Sequence, residues 1–397
     1  MQILNTRRHF LQTAAAVAAA TTLPQWFLEE SAEAATKPLG PNDKPGVALI
    51  GCGGRGRGLN RYFQKVAQTV ALCDVYDRNL DAAKKDSPGA KTYLDYNDLL
   101  ADKSVDAVVI ATPDHHHCPM MLAALKAGKD VYAEKPLSKT LEESQIMIKA
   151  VRNTDRIVQI GMQRRSAEAI VRAKKLVDDG ILGRITLVKP QWHWNISAPI
   201  DNSTLPGKLD WQRFLGSARK RELEPMRFRK WRYFFDYAGG NMTDQGTHLM
   251  DVVQWFTRAG TPQSAVAHGY VAKMTGAEHP DVFSAVFEYQ DLMVTWTLDY
   301  ANSFQNGWSI TFMGDKGTMI LDEAGYTVYG EPWKRDAKPI YEEKAPVPLE
   351  AHIQNFLDCV KSRKEPNCPV EIAAQAVTGP HMANIAMLEK RRYIANS

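Results

Sequence analysis

The residues of this chain that could do chemistry fall into two groups. The first is Gly51-x-Gly53-x-x-Gly56, directly behind the apolar run Val47–Ile50. Eighteen residues after Gly56, Asp74 closes a second apolar run that starts at Val70. This order suits a dinucleotide. Gly51 permits a sharp turn, Gly53 lets the backbone approach a pyrophosphate, and Gly56 lets the next helix pack close to the strand. Gly54 and Arg55 lie in the same turn, at a helix start that offers free N–H groups to phosphates. Asp74 would accept hydrogen bonds from a ribose diol and repel a 2′-phosphate. NAD is therefore the expected cofactor and NADP the weaker alternative, one that Arg55, Arg57 or Arg78 could rescue. A ligand-free turn explains three glycines alone, but not glycines, flanking strands and Asp74 together. The second group is Gly239-Gly240-Asn241-Met242-Thr243-Asp244-Gln245-Gly246-Thr247-His248. On a helix Asp244 and His248, four apart, share a face, and Asp251 lies on a nearby one. An imidazole with its ordinary pKa suits proton exchange near neutral pH.

The elements that must position these groups alternate along the first half. Apolar strands at Val47–Ile50, Val70–Cys73, Val105–Ala111, Val131–Ala133 and Ile157–Gly161 are separated by amphipathic segments. Strands apolar on both faces belong to a parallel sheet covered on both sides, so a doubly wound α/β sheet is expected. Ligands of such sheets lie outside the carboxyl ends of the strands, where Thr112-Pro113 and Glu134-Lys135-Pro136 fall. Pro136 can hold a cis bond that aims the lysine. From Gly183 the pattern becomes alternating, with hairpin turns at Gln290-Asp291 and Gly314–Gly317. This predicts an α+β second domain with a mostly antiparallel open sheet. Two closing helices, near 349–362 and 372–388, pack back on the first domain.

The runs Ala111-Thr112-Pro113-Asp114-His115-His116-His117 and Ala127-Gly128-Lys129-Asp130-Val131-Tyr132-Ala133-Glu134-Lys135-Pro136-Leu137 resemble the glucose-fructose oxidoreductase / inositol dehydrogenase family (Gfo/Idh/MocA). The resemblance covers essentially all of the chain behind its leader. It implies a Rossmann domain over 46–165 and a substrate and oligomerisation domain over 166–397. It places Lys135 beside the nicotinamide and the substrate hydroxyl, where its charge would stabilise a developing alkoxide. Glu134 joins it in the cofactor crevice, and His117 lies near cofactor or substrate, with His115 and His116 at the surface. Asp244 and His248 become catalytic, His248 as base and Asp244 orienting the substrate or the imidazole. The second sheet would hold substrate on one side and join subunits into a homo-oligomer through the other. The implied activity is hydride transfer between NAD and a secondary alcohol of a sugar, polyol or glycoside. An exported NAD-dependent glycoside hydrolase, working by transient oxidation and elimination, is the alternative. A non-catalytic sensor would require loss of Lys135 or His248, and both are present.

Thr6-Arg7-Arg8-His9-Phe10-Leu11, the Ala-rich run Ala14–Ala20 and Ala32-Glu33-Ala34 read as a twin-arginine export signal over 1–34, followed by a linker over 35–45. An exported enzyme meets no maintained pool of free nicotinamide, so it must hold its cofactor tightly, in the periplasm or otherwise outside the inner membrane. The net charge of +4 is too mild and dispersed for a nucleic-acid partner. No later segment is apolar for long enough to span a membrane. Five cysteines without a Cys-x-x-Cys pair make no disulfide framework. Adjacent histidines chelate poorly, so His115–His117 imply no metal. Gln163, Arg164 and Arg165 follow a strand end and are expected to face the cleft, although surface salt bridges would explain the arginines as well. Aromatic side chains crowd the approach to the second group, as rings that stack on sugar faces would. Gln163, Arg165, Trp194, Trp231 and Tyr237 are the expected substrate contacts.

Overall fold

The computed structural model describes residues 44–345 and 347–395. The twin-arginine leader and most of the expected linker lie outside the described residues. The first lobe runs β1 (Gly46–Ile50), α1 (Gly54–Val66), β2 (Gln68–Cys73), α2 (Asp77–Asp86), β3 (Lys91–Tyr93), α3 (Tyr96–Leu100), β4 (Ala107–Ile110), α4 (His117–Lys126), β5 (Asp130–Ala133), α5 (Leu141–Arg152) and β6 (Val158–Ile160). Its sheet is parallel, in the order β3-β2-β1-β4-β5-β6. Every residue of β1, β4 and β5 is buried, which is why these strands read as unbroken apolar runs. Strand order reverses between β1 and β4, and a crevice opens there at the carboxyl ends. Ile50 pairs with both Cys73 and Ile110, and Ile110 pairs with Ala133. The register therefore brings the residues just beyond these, Gly51, Asp74, Ala111 and Glu134, to one edge.

The second lobe opens with α6 (Glu168–Asp178) and β7 (Ile185–His193), then α7 (Trp211–Leu215), α8 (Pro225–Arg229) and α9 (Gly240–Thr257). It continues through β8 (Ser264–Tyr270), β9 (Val282–Glu288), β10 (Met293–Asp299), β11 (Gly307–Gly314), β12 (Gly317–Asp322), β13 (Gly325–Gly330) and β14 (Tyr341–Lys344). The chain ends with α10 (Glu350–Ser362), α11 (Val370–Glu389) and β15 (Tyr393–Ile394). The sheet order is β14-β13-β12-β11-β7-β10-β9-β8-β15. Its pairings are antiparallel except that β7 and β10 run parallel. Alternation buries Phe283, Ala285, Phe287, Val294, Trp296, Leu298, Ile310 and Phe312 beneath α9 and α11. The opposite face leaves Gln191, Thr295, Thr297, Ser309 and Thr311 along an open groove of about 500 Å³.

The closing helices reach the first lobe. Phe356 of α10 sets its ring against Phe63 and Tyr132. Val370, Ala373, Ala374 and Val377 of α11 complete the core on the sheet's other side. These contacts fix α9, packed on α11, relative to the crevice. Among the described residues no helix is long and apolar enough to cross a membrane.

Candidate active site

The glycine turn is built from two kinds of glycine. Gly51 has φ +92°, and a Cβ there would lie 2.6 Å from the Ala111 carbonyl oxygen. A Cβ on Gly56 would lie 1.9 Å from the Gly51 carbonyl oxygen. These two close the turn. Gly53 and Gly54 are the reverse: a Cβ on Gly53 would meet nothing nearer than 4.0 Å, and on Gly54 nothing within 4 Å. No side chain caps α1. The turn thus presents bare amides to open space, as a diphosphate requires. Thr112 Oγ1, buried behind β4, has no partner. Asp74 Oδ2 accepts hydrogen bonds from the Cys52 amide at 2.7 Å and Asn79 Nδ2 at 3.2 Å, and Oδ1 from the Tyr76 amide at 2.8 Å. Burial pushes its carboxyl up, against these donors. Arg57 is spent on Asp86 at 2.8 Å, and Arg55 on Glu134 at 2.6 and 2.8 Å. Arg78 is exposed beside Gly207. These features fit a dinucleotide with a free ribose diol.

Lys135 leaves the end of β5, and its peptide bond to Pro136 is cis. Its Nζ donates to Asp244 Oδ1 at 2.6 Å and to the Asp244 carbonyl at 3.0 Å. The contact crosses from the first lobe to the first turns of α9. Arg232 Nε lies 3.1 Å from Asp244 Oδ2. Burial alone would raise the Asp244 carboxyl, but Arg232 and Lys135 outweigh it and hold it well below the usual range. Asp244 therefore holds two cations and makes no hydrogen bond to the imidazole.

His248 stands one turn further along α9, 7% exposed, with no hydrogen-bond partner among the described residues. The expectation of an ordinary pKa is corrected. Burial lowers it far below the usual histidine range, and Lys135, Arg164 and Arg55 lower it further. The ring is neutral at pH 7 with its nitrogens unengaged.

Three residues near this site were given no chemical role in the sequence reading. Arg232 carries no motif; only its place in the aromatic approach pointed to it. Asp114 is 1% exposed, and neither carboxylate oxygen has a well-formed hydrogen bond. Burial, and then the Asp244 charge, push it up to about 8. Arg164, buried over Trp308 and Trp192, received no role.

Other expected contacts are placed elsewhere. His115 and His116 are buried, not at the surface, because α7 folds over them and the Phe214 carbonyl lies 2.9 and 2.8 Å from their Nε2 atoms. His117 spans the Pro136 carbonyl at 2.7 Å and the Thr112 carbonyl at 3.0 Å, so it ties the Lys135 loop to the end of β4. Tyr237 is fully buried among Trp211, Phe214 and Phe234, which takes it out of the cleft. Arg165 is bonded to Asp251 at 2.7 Å and lies over Trp255, which anchors α9. Trp231 supports Arg232, 4.3 Å from its ring centre. Trp194 stacks on Tyr300, and Gln163 Oε1 is buried without a partner. Among the described residues no group of histidines, cysteines and acids could hold a metal ion. All five cysteines are free and buried.

Residues 46–162 match the model of an oxidoreductase family with an NAD-binding Rossmann fold, and residues 170–320 match the GFO/IDH/MocA C-terminal domain. Residues 5–24, outside the described residues, match the twin-arginine translocation signal, so the chain carries an export signal. Inositol 2-dehydrogenase of Salmonella typhimurium is 37% identical over 158 residues, 39% of this chain and 46% of that protein. Levoglucosan dehydrogenase of Pseudarthrobacter phenanthrenivorans is 28% identical over 178 residues, 45% of this chain and 39% of that protein. The chain thus matches about half the length of these curated relatives or less. Among solved structures, WlbA dehydrogenase of Bordetella pertussis, in complex with NADH and UDP-GlcNAcA, has a TM-score of 0.69 at 21% identity, covering 89% of this chain and 100% of that one. Levoglucosan dehydrogenase with NADH has a TM-score of 0.72 at 17% identity, with the same coverage. With both lobes matched by its domain models, and a glycine turn shaped for a dinucleotide, the chain belongs to the Gfo/Idh/MocA oxidoreductase family.

Proposed function

We propose that this protein is an exported, periplasmic oxidoreductase that moves a hydride between NAD and a secondary alcohol of a sugar, polyol or glycoside. One observation supports the reading most: Lys135, at the carboxyl edge of the parallel sheet, is bonded across the lobes to Asp244, and its charge is felt at His248, one turn further along α9. When bound, the cofactor supplies the hydride acceptor. Gly53, Gly54 and the amides that open α1 would hold its phosphates, and Asp74 and Asn79 its ribose. Glu134, paired with Arg55, would wall the nicotinamide end.

The chain's own residues handle the proton and the charge. His248 accepts the hydroxyl proton at its open ring nitrogen. The low basicity of that ring is compensated by Lys135, whose charge lowers the energy of the alkoxide in a site from which water is excluded. Asp244 positions Lys135 between the two lobes. Arg232 shares that carboxylate and fixes its orientation. Self-association would use the uncovered face of the second sheet, where Val266, Tyr270 and Met293 are exposed.

The test is purification of the exported protein, mass spectrometry of the released cofactor, and turnover of a sugar and polyol panel. NAD is expected to co-purify, and Lys135→Ala and His248→Ala to lose turnover by about 10³-fold with NAD still bound. A chain that neither carries nor binds NAD, or full turnover in Lys135→Ala, would overturn the reading. Aryl glycosides that release their aglycone with no net redox change would shift it to the hydrolase.

A further inference from the structure

Arg164 and Arg165 are neighbours in the turn after β6, yet their surroundings differ sharply. Arg165 has a carboxylate of its own, Asp251, at 2.7 Å. Arg164 is 5% exposed, and its guanidinium carbon lies 4.1 Å from the ring centre of Trp308 and 5.7 Å from that of Trp192. Its Nε and Nη1 are enclosed and have no hydrogen-bond partner. The indole N–H of Trp192 beside it is also buried and unpartnered. The carboxylates whose charge reaches Arg164 are Asp251, already spent on Arg165, and Glu323, an exposed side chain between β12 and β13.

A buried cation without a hydrogen-bonded counter-charge is strongly unfavourable. Stacking on indole faces offsets part of this, but it leaves the N–H groups of the guanidinium unused. The neighbouring cations of the cleft do have carboxylates: Arg55 has Glu134, and Lys135 and Arg232 share Asp244. Asp114 is not among the carboxylates whose charge reaches Arg164. The turn that carries Arg164 packs against α9, and its charge is felt at His248. The missing anion therefore belongs close to the group that would take the substrate proton.

We propose that Arg164, assisted by the Trp192 indole N–H, binds an anionic substituent of the substrate, so that the preferred substrates are acidic sugars rather than neutral ones. A planar guanidinium lying close to two indole rings can present N–H groups to a carboxylate or to a sulfate or phosphate ester. The inference rests on the oxidoreductase reading for the reaction, but the anion site itself does not depend on turnover.

The experiment uses the exported holoprotein and matched pairs: glucose with glucuronate, galactose with galacturonate, and each neutral sugar with its 6-sulfate and 6-phosphate. Binding is followed by tryptophan fluorescence, because Trp192 and Trp308 flank the guanidinium. Turnover is followed in parallel by cofactor absorbance. At least one acidic member is expected to bind at least about 100-fold tighter than its neutral partner, with the difference in KM rather than kcat. Uronates that win over sulfate and phosphate esters identify a carboxylate, and the reverse an ester. Arg164→Met is expected to erase the ratio and Arg164→Lys to keep part of it. Neutral sugars bound as well as every acid, or a preference that survives Arg164→Met, would overturn the proposal. The wild-type comparison decides the matter even where a variant does not fold. Selective acid binding without oxidation of any sugar would uphold the anion site and sink the oxidoreductase reading. Oxidation of neutral sugars with no acid preference would do the opposite.

Discussion

The two walls of the cleft are finished differently. On the first wall, polar side chains are tied to main chain or to each other. Asp74 takes the Cys52 and Tyr76 amides, His117 lies between two carbonyls and donates to one of them, and Arg55 closes on Glu134. On the second wall several groups are buried with nothing to hold: His248, Arg164 and the indole N–H of Trp192. A wall whose own polar atoms are satisfied is a rigid frame for a ligand that docks on bare backbone. A wall with unsatisfied donors and acceptors awaits a molecule that completes it.

The largest break of this contrast uses the adjacent arginines. Arg165→Met strands Asp251, which is 1% exposed, without its cation. Breaking a buried pair in this way costs about 3–5 kcal/mol, so the variant should unfold at markedly lower denaturant. Arg164→Met removes a cation that has no partner, and its apo stability should be unchanged or higher. Chemical denaturation of the two apo variants checks both, and equal losses would mean that Arg164 is held as firmly as Arg165.

A smaller effect separates the glycines of the first wall. A Cβ at Gly56 meets the Gly51 carbonyl oxygen at 1.9 Å, and no rotamer relieves a clash with backbone. Gly56→Ala should lower apo stability by about 1–3 kcal/mol. Gly54→Ala, with nothing within 4 Å, should leave apo stability nearly intact. Thermal melts of the apo variants measure the difference. Similar melting points would mean that the turn is held by something other than close backbone approach.

Legibility in the sequence followed the same divide. Strands buried on both faces left unbroken apolar runs, and those of the second sheet left an alternation, so both sheets could be read. The short β3, β14 and β15 left no period to detect. The glycine spacing and the four-residue step from Asp244 to His248 are local patterns, and local patterns survive in sequence. Which groups lack partners is not local. Arg164 and Arg165 are indistinguishable as letters, and only the distant Asp251 separates them. His115 and His116 read as surface residues because the segment that covers them, Trp211–Leu215, lies far along the chain. Asp114 sat inside the run that carried the family resemblance, yet nothing in that run marks its carboxyl as unpaired.

Asp114 sharpens the comparison, because it belongs to the first wall and, with Thr112 Oγ1, is unpaired like the groups of the second. Its carboxyl is pushed up to about 8, against about 3.9 in an unfolded chain. The folded state therefore binds this proton more tightly, and the stability it contributes is lost as pH rises from about 4 to about 8. Buried histidines act in the opposite sense. His116, His279, His352 and His381 are pushed down to about 4 by burial, so protonation of the unfolded chain removes stability as pH falls from about 6.5 towards 4. A melt of the wild type alone mixes the two trends. The difference between Asp114→Asn and wild type cancels the histidines and isolates the carboxyl. That difference should be smallest at pH 4, grow in favour of asparagine up to pH 8, and then level off, on the order of 5 kcal/mol above its value at pH 4. A difference that stays flat across this range would mean that Asp114 is ionised throughout and held by Lys135 and Arg232.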